Sequence, residues 1–217
     1  MRISEIEFGS LLTYSPRGNS NAQSLSRTAR TILKNDGFLK SGSNDILMSD
    51  YIADRISMNL RRLPFADYFD VNPILVPTPN SSLNRSGTLW VSQRLATSLF
   101  RRGLGSRVAE CLNRVTPLRK SATSLAADRP KAREHYDSME VTRMLDEPTE
   151  ILLIDDIVTR GATLLGAANK LADAFPHARI RALAAMRTIS TPSVFVRINE
   201  PCIGTITLSN DETFRNP

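Results

Sequence analysis

Residues 151–164 read ILLIDDIVTRGATL. Four aliphatic side chains lead into two adjacent carboxylates, Asp155 and Asp156, and then into a loop of Thr159, Arg160, Gly161, Ala162 and Thr163. Successive strand residues point to opposite faces, so an unbroken aliphatic run predicts a strand covered on both sides. The acid pair then falls at its carboxyl end, where open α/β sheets bind ligands. Beyond the loop, Leu164, Ala168, Leu171 and Phe175 recur at helical spacing. A glycine-containing loop at a helix N-terminus offers free backbone N–H groups and the positive end of the helix dipole, which suits an anion. The hydroxyls of Thr159 and Thr163 add donors. Two carboxylate acceptors beside a phosphate cradle match a sugar phosphate, whose vicinal hydroxyls donate to the carboxylates while its phosphate sits in the loop. A pair that only capped a strand or helix would need one carboxylate and no such loop.

The elements that must hold this site follow from periodicity. Residues 73–79, PILVPTP, predict a short apolar strand entering a turn, and residues 89–100 the helix after it, with Leu95 and Leu99 four apart. RVAECL at 107–112 predicts another strand, residues 162–175 a helix, and RIRALAAM at 179–186 the strand that follows. SVFVRI and GTITLS predict further strands near the C-terminus. Strand–helix–strand alternation implies an α/β fold, a mostly parallel central sheet with helices on both faces. Upstream, residues 23–34 predict a helix closed by NDG, and a second helical pattern starts at Asp45 with Ile46, Met48, Ile52, Ile56 and Leu60. Phe65, Tyr68, Phe69 and Trp90 are expected to pack in the core. From Thr116 to Asp137 periodicity disappears and Arg, Lys and Ser accumulate, which predicts a long loop of the kind used as a lid.

Composition narrows the class. At 41% hydrophobic and 23% charged, the 217 residues carry enough apolar material for one sizeable core. No run approaches the roughly 18 apolar residues of a membrane helix, and the start, MRISEIEFGS, lacks a signal peptide's apolar stretch, so a cytoplasmic protein is expected. Cys111, Cys202, His135 and His177 are scattered singly without metal-ligand spacing, so no protein-built metal site is expected. A Walker-type loop is absent, which argues against ordinary ATPase chemistry. Net charge is +6, unevenly spread: residues 85–133 hold eleven Lys or Arg against Glu110 and Asp128, a local excess of nine. Such a segment asks for an anionic partner, a phosphorylated small molecule or nucleic acid.

ILLIDDIVTRGATL closely resembles the ribose-5-phosphate-binding signature of type I phosphoribosyltransferases. In that family the acidic pair holds the ribose 2′- and 3′-hydroxyls of phosphoribosyl pyrophosphate (PRPP), and the following loop binds its 5-phosphate. Two further stretches resemble the ComF-type subgroup. VPTPNSSLNRSG at 76–87, with Thr78, Pro79, Asn80 and Ser81, resembles the strand and loop near the pyrophosphate. LNRVTPLRKSATSLAADRPKAREHY at 112–136 resembles its mobile loop, with Arg114, Thr116, Leu125 and Arg129 matching, and with Lys120 and Lys131 adding charge. The chain departs from the pattern at four places. The usual glutamine is missing around Arg119 and Lys120, and the asparagine expected near Ala132 is absent. Arg160 stands where small or hydroxyl residues are usual, either adding charge to the phosphate site or narrowing it. Thr159 occupies the place of the aspartate base of purine-salvage members.

The resemblance implies a type I phosphoribosyltransferase fold that binds PRPP with Mg²⁺ and transfers the phosphoribosyl group to an unidentified acceptor, releasing pyrophosphate. Asp155 and Asp156 would carry the catalytic positions. Residues 1–70 would form a hood or a partner-binding arm, with Arg17, Arg27, Arg30 and Lys34 available to an anionic acceptor, and residues 71–217 the α/β core. The alternative is a PRPP-sensing regulator, or a nucleic-acid-associated protein using the 85–133 segment, on the same fold with little turnover. A homodimer is left open.

Overall fold

The computed structural model describes residues 1–41, 44–83, 87–118 and 129–217. Its centre is a seven-stranded sheet in the order β11-β10-β1-β9-β8-β4-β5. The strands are β1 (Glu5–Tyr14), β4 (Ile74–Pro77), β5 (Arg107–Val108), β8 (Glu150–Val158), β9 (Arg179–Thr188), β10 (Asn199–Ser209) and β11 (Glu212–Asn216). From β1 to β5 every neighbour is parallel, while β10 and β11 are antiparallel additions at one edge. The expected mixed α/β architecture with a mostly parallel sheet is therefore what the chain adopts.

The doubly apolar reading of β8 holds in detail. Ile151 and Leu153 enter one core with Leu164, Leu165 and Leu171 of helix α6 (Ala162–Ala174). Leu152 and Ile154 enter a second core with helices α1 (Asn21–Lys34), α2 (Met48–Asn59) and α4 (Val91–Arg101). Phe65, Tyr68 and Phe69, the last two in the short helix α3 (Asp67–Asp70), are buried in this second core. Burying an aliphatic side chain of this size contributes about 1.5–3 kcal/mol, so the two clusters hold the sheet from both sides.

Other expectations change. The helical pattern from Asp45 is a hairpin first, β2 (Phe38–Ser41) against β3 (Asn44–Leu47), and α2 begins only at Met48. RVAECL splits into β5 and a separate strand β6 (Leu112–Arg114), which pairs antiparallel with β7 (Met139–Val141). SVFVRI forms no strand: residues 192–194 make a single 3-10 turn, and the regular strand starts at Asn199. The expected lid over 116–137 is regular at its C-terminal part. There helix α5 (Ala132–Asp137) packs on α6 so closely that a Cβ at Gly166 would meet the Ala132 carbonyl at 2.7 Å. Residues 119–128 lie outside the described residues.

The boundary expected after residue 70 does not follow the sheet. β1 lies inside it, hydrogen-bonded to β9 on one side and β10 on the other. Its alternate residues Ile6 and Phe8 are buried in the same core as α6. A chain starting at residue 71 would leave β9 and β10 without their shared neighbour. Such a fragment is expected to show no cooperative thermal transition by circular dichroism, whereas a removable hood would leave a folded core.

Candidate functional site

β4 ends at Pro77, opposite Ile154, while β8 continues to Val158 with β9 as its only strand neighbour. Asp155 and Asp156 are the first residues past that end. The Thr78 N–H still donates to the Ile154 carbonyl, at 2.9 Å, so the turn after β4 is pinned against β8 beside the acid pair.

The two carboxylates have different environments. Asp155 is 9% exposed and accepts from the Thr78 hydroxyl at 2.8 Å, from the Ser92 hydroxyl at 3.4 Å and from the Asp156 N–H at 2.9 Å. Burial first, and the neighbouring Asp156 charge second, push its carboxyl up to about 7. Asp156 is more open and pairs with Lys34 Nζ at 2.6 Å. Lys34 is the last residue of α1, so the N-terminal segment reaches the acid pair through this one cation. Of the other N-terminal cations, Arg27 donates to the Gly18 carbonyl at 3.0 Å and Arg30 lies over the Tyr14 ring.

The loop after β8 leads into α6 through a glycine. Gly161 is the N-cap of α6 with φ +88, a conformation that side chains other than glycine's adopt at a cost. Having no side chain, it leaves the first-turn amides without a side-chain cap. Thr159 is exposed, and its hydroxyl meets that of Thr188 at 3.0 Å. The Thr163 hydroxyl faces His135 Nε2 at 3.4 Å. Ala162 is half-buried at the first helical position. Arg160 turns to Glu212 at 3.2 Å, as does Lys131, also at 3.2 Å. Arg215 donates to the Thr159 carbonyl at 2.7 Å and to the Thr188 carbonyl, fastening the loop to the exit of β9. Glu212 and Arg215 belong to β11, a strand to which the sequence reading assigned no role. The available signal was Asn210-Asp211, a two-residue turn with both φ positive that closes the β10–β11 hairpin.

The pyrophosphate-side residues are mostly interior. Thr78 and Pro79 are buried, and Thr78 serves Asp155. Asn80 donates to the Leu89 carbonyl, and the Ser81 carbonyl accepts from the Leu118 N–H. Trp90 Nε1 donates to the Thr78 carbonyl at 2.7 Å, tying the start of α4 to the same turn.

The basic-loop residues are not one surface. Arg114 is a buried residue of β6 that donates to the Asn80 carbonyl at 3.0 Å and to the Ser138 hydroxyl. Burial lowers its guanidinium to about 10, an effect partly offset by Asp155. Arg129 is half-buried, Lys131 is exposed, and Lys120 lies outside the described residues. His135, which falls in the loop expected over 116–137, is buried; that burial and nearby Arg114 push its imidazole down to about 3, so it is neutral at ordinary pH. The charge excess of residues 85–133 is largely answered within the chain. Arg94 pairs with Asp36, Arg102 with Asp50 and Asp54, Arg107 with Asp146, Lys131 with Glu212 and Arg133 with Asp137. All of these carboxylates lie outside residues 85–133.

Among the described residues no group of three or more His, Cys, Asp or Glu could hold a metal, and no helix is long and apolar enough to cross a membrane. Two surface clefts of about 280 and 370 Å³ are lined by other residues, around Arg107–Met144 and around Asp36–Arg101; the acid pair lines neither. Compared with known proteins, the chain matches no family model and no curated protein.

Two outcomes follow. Asp155 carries a raised folded pKa, so its contribution to stability is full below the unfolded value near 4 and is lost as pH rises through about 7. Asp155→Asn, which removes that buried charge, is therefore expected to raise the melting temperature at pH 8 relative to wild type. The gain should shrink toward pH 4; thermal melts across that range check it. Gly161→Val, which a loop at the surface end of the sheet would tolerate, is expected instead to destabilise the fold as well. Its Cβ would meet the fully buried Ile206 side chain at 2.6 Å in a left-handed backbone. A cost of about 1–3 kcal/mol in denaturant unfolding is expected from the backbone alone. Thr163→Ala is the cleaner probe of the loop.

Proposed function

We propose that the chain is a phosphoribosyltransferase of the type I fold, binding PRPP with Mg²⁺ and passing its phosphoribosyl group to an acceptor with release of pyrophosphate. One observation carries this reading. Two carboxylates stand where β4 stops and β8 runs on, and after four intervening residues a left-handed glycine opens helix α6. On this reading Asp156, the more open of the pair, accepts from vicinal ribose hydroxyls. The uncapped first turn of α6, with Thr163, receives the 5-phosphate.

The residues fit a metal that arrives with its ligand. Mg²⁺ commonly keeps several waters and is bound through one or two carboxylates together with substrate phosphates; Asp156 would be the open carboxylate, and among the described residues no group of three or more ligating side chains makes a protein cage. When bound it would neutralise charge on the departing pyrophosphate. The chain's own contribution is orientation. Asp155, held by Thr78, Ser92 and the Asp156 amide, fixes the strand end, and Asp156 would hold the ribose. C1 gains oxocarbenium character as its bond to the pyrophosphate oxygen breaks and the bond to the acceptor forms. Fixed dipoles and charges that need no reorganisation favour that change. The second reading, nucleic-acid binding through residues 85–133, would have to draw on cations of which five pair with carboxylates of the same chain.

Calorimetry with ribose 5-phosphate and with PRPP, both with Mg²⁺, tests the site. Asp156→Asn should weaken binding by roughly tenfold or more, the loss expected from one charge-assisted hydrogen bond of about 1.5–3 kcal/mol. Equal binding by both proteins would overturn the assignment. A pyrophosphate-release assay across nucleobases and amines then identifies the acceptor and separates an enzyme from a sensor.

A further inference from the structure

Glu212 stands at the start of β11, immediately after the Asn210-Asp211 turn, and each of its carboxylate oxygens faces one cation. Oε2 meets Arg160 in the loop before α6, and Oε1 meets Lys131 at the start of α5, both at 3.2 Å. Three segments distant in sequence thus converge beside the candidate phosphate loop, bringing two positive charges to one negative. All three side chains are between a third and a half exposed, at 34%, 45% and 40% for Arg160, Lys131 and Glu212. Exposed pairs of this kind hold weakly and exchange partners readily. A phosphate brings more charge and more acceptor oxygens than a carboxylate, and Arg binds it in bidentate fashion.

We propose that Glu212 is a stand-in anion: it holds Arg160 and Lys131, and an incoming phosphate takes both cations from it. Arg160 and Lys131 are then phosphate ligands, and Glu212 sets how tightly the loop binds by competing with the ligand. This explains why an arginine is tolerated in the loop, since without Glu212 its charge would face Lys131 and Arg215 uncompensated. The inference rests on the reading of residues 159–163 as a phosphate site but not on the ribose contacts of the acid pair.

The sign of one substitution tests it. Glu212→Gln keeps size and removes the charge. The full-length variant should bind both inorganic phosphate and ribose 5-phosphate about three- to tenfold more tightly than wild type, with the gain fading as salt rises. Arg160→Gln should bind phosphate more weakly than wild type, and the double variant should lose the gain of Glu212→Gln. A purely structural clasp would give the opposite sign. Equal or weaker phosphate binding by Glu212→Gln with an unchanged thermal melt would overturn the proposal, as would normal binding by Arg160→Gln. Absence of binding by every variant would overturn this proposal together with the loop site. If phosphate tightens as expected while ribose 5-phosphate binds no better than phosphate and Asp156→Asn has no effect, the proposal stands and the ribose reading falls.

Discussion

Two adjacent carboxylates on a strand buried from both faces set the terms for the rest of the molecule. A buried ionised carboxylate is costly unless donors or a counter-charge meet it, and two side by side compound the cost. The chain meets it with parts drawn from three places. Thr78 comes from the turn after β4, Ser92 from the start of α4, and Lys34 from the end of α1. Trp90 binds the first two together through the Thr78 carbonyl. Each of these elements must therefore be placed accurately, and each packs into the same apolar cluster against Leu152 and Ile154. The core on that face serves to position the groups that make the acid pair tolerable.

The same reasoning explains why the N-terminal segment is integral. β1 completes the sheet between β9 and β10, and α1 carries Lys34 across to Asp156. The Ser20–Gln23 capping box fixes where α1 starts, and the Gln23 amide donates to the Pro192 carbonyl, so the helix is anchored at its far end from Lys34. The C-terminal hairpin, β10 and β11, extends the sheet beyond β1. There Arg215 joins the exits of β8 and β9, and Ile206 fills the space that a side chain at residue 161 would need. The conformational freedom of Gly161 is thus demanded twice, by its backbone angle and by its neighbour.

How much was legible in the sequence depended on whether a feature was local. The run ILLI, the acid pair, the loop and α6 lie within 25 residues, and their patterns of period two and 3.6 are strong, so the strand, the helix and their order could be read directly. β1 was missed because EIEFGSLLTY alternates only at its start and then becomes apolar on both faces, which short-range periodicity leaves ambiguous. His135 and Arg114 were read as loop residues because polar side chains near basic runs are usually solvated, yet the β6–β7 ribbon and α5 carry both inside. The charge excess of residues 85–133 was legible only as a sum. A linear count cannot see that Asp36, Asp50, Asp54, Asp146 and Glu212 fold back onto it. Long-range ion pairs leave no periodicity to find.

A consequence for selectivity follows from these internal pairs. The open carboxylate of the site has Lys34 as partner, and the cations beside the loop have Glu212. A ligand carrying only an anion would displace Glu212 and gain the loop, but would leave Asp156 with its lysine. A ligand carrying only a diol would have to compete with Lys34 for Asp156 and would gain nothing from the loop. On the proposed reading, a molecule that presents hydroxyl donors and a phosphate at the separation of the acid pair and the α6 N-terminus compensates both displacements at once. Lys34, released from Asp156, would then be a cation available to the ligand's remaining negative charge. Discrimination against simple phosphates and simple sugars would come from the partners these groups already have, since each must be replaced for a ligand to bind with net gain.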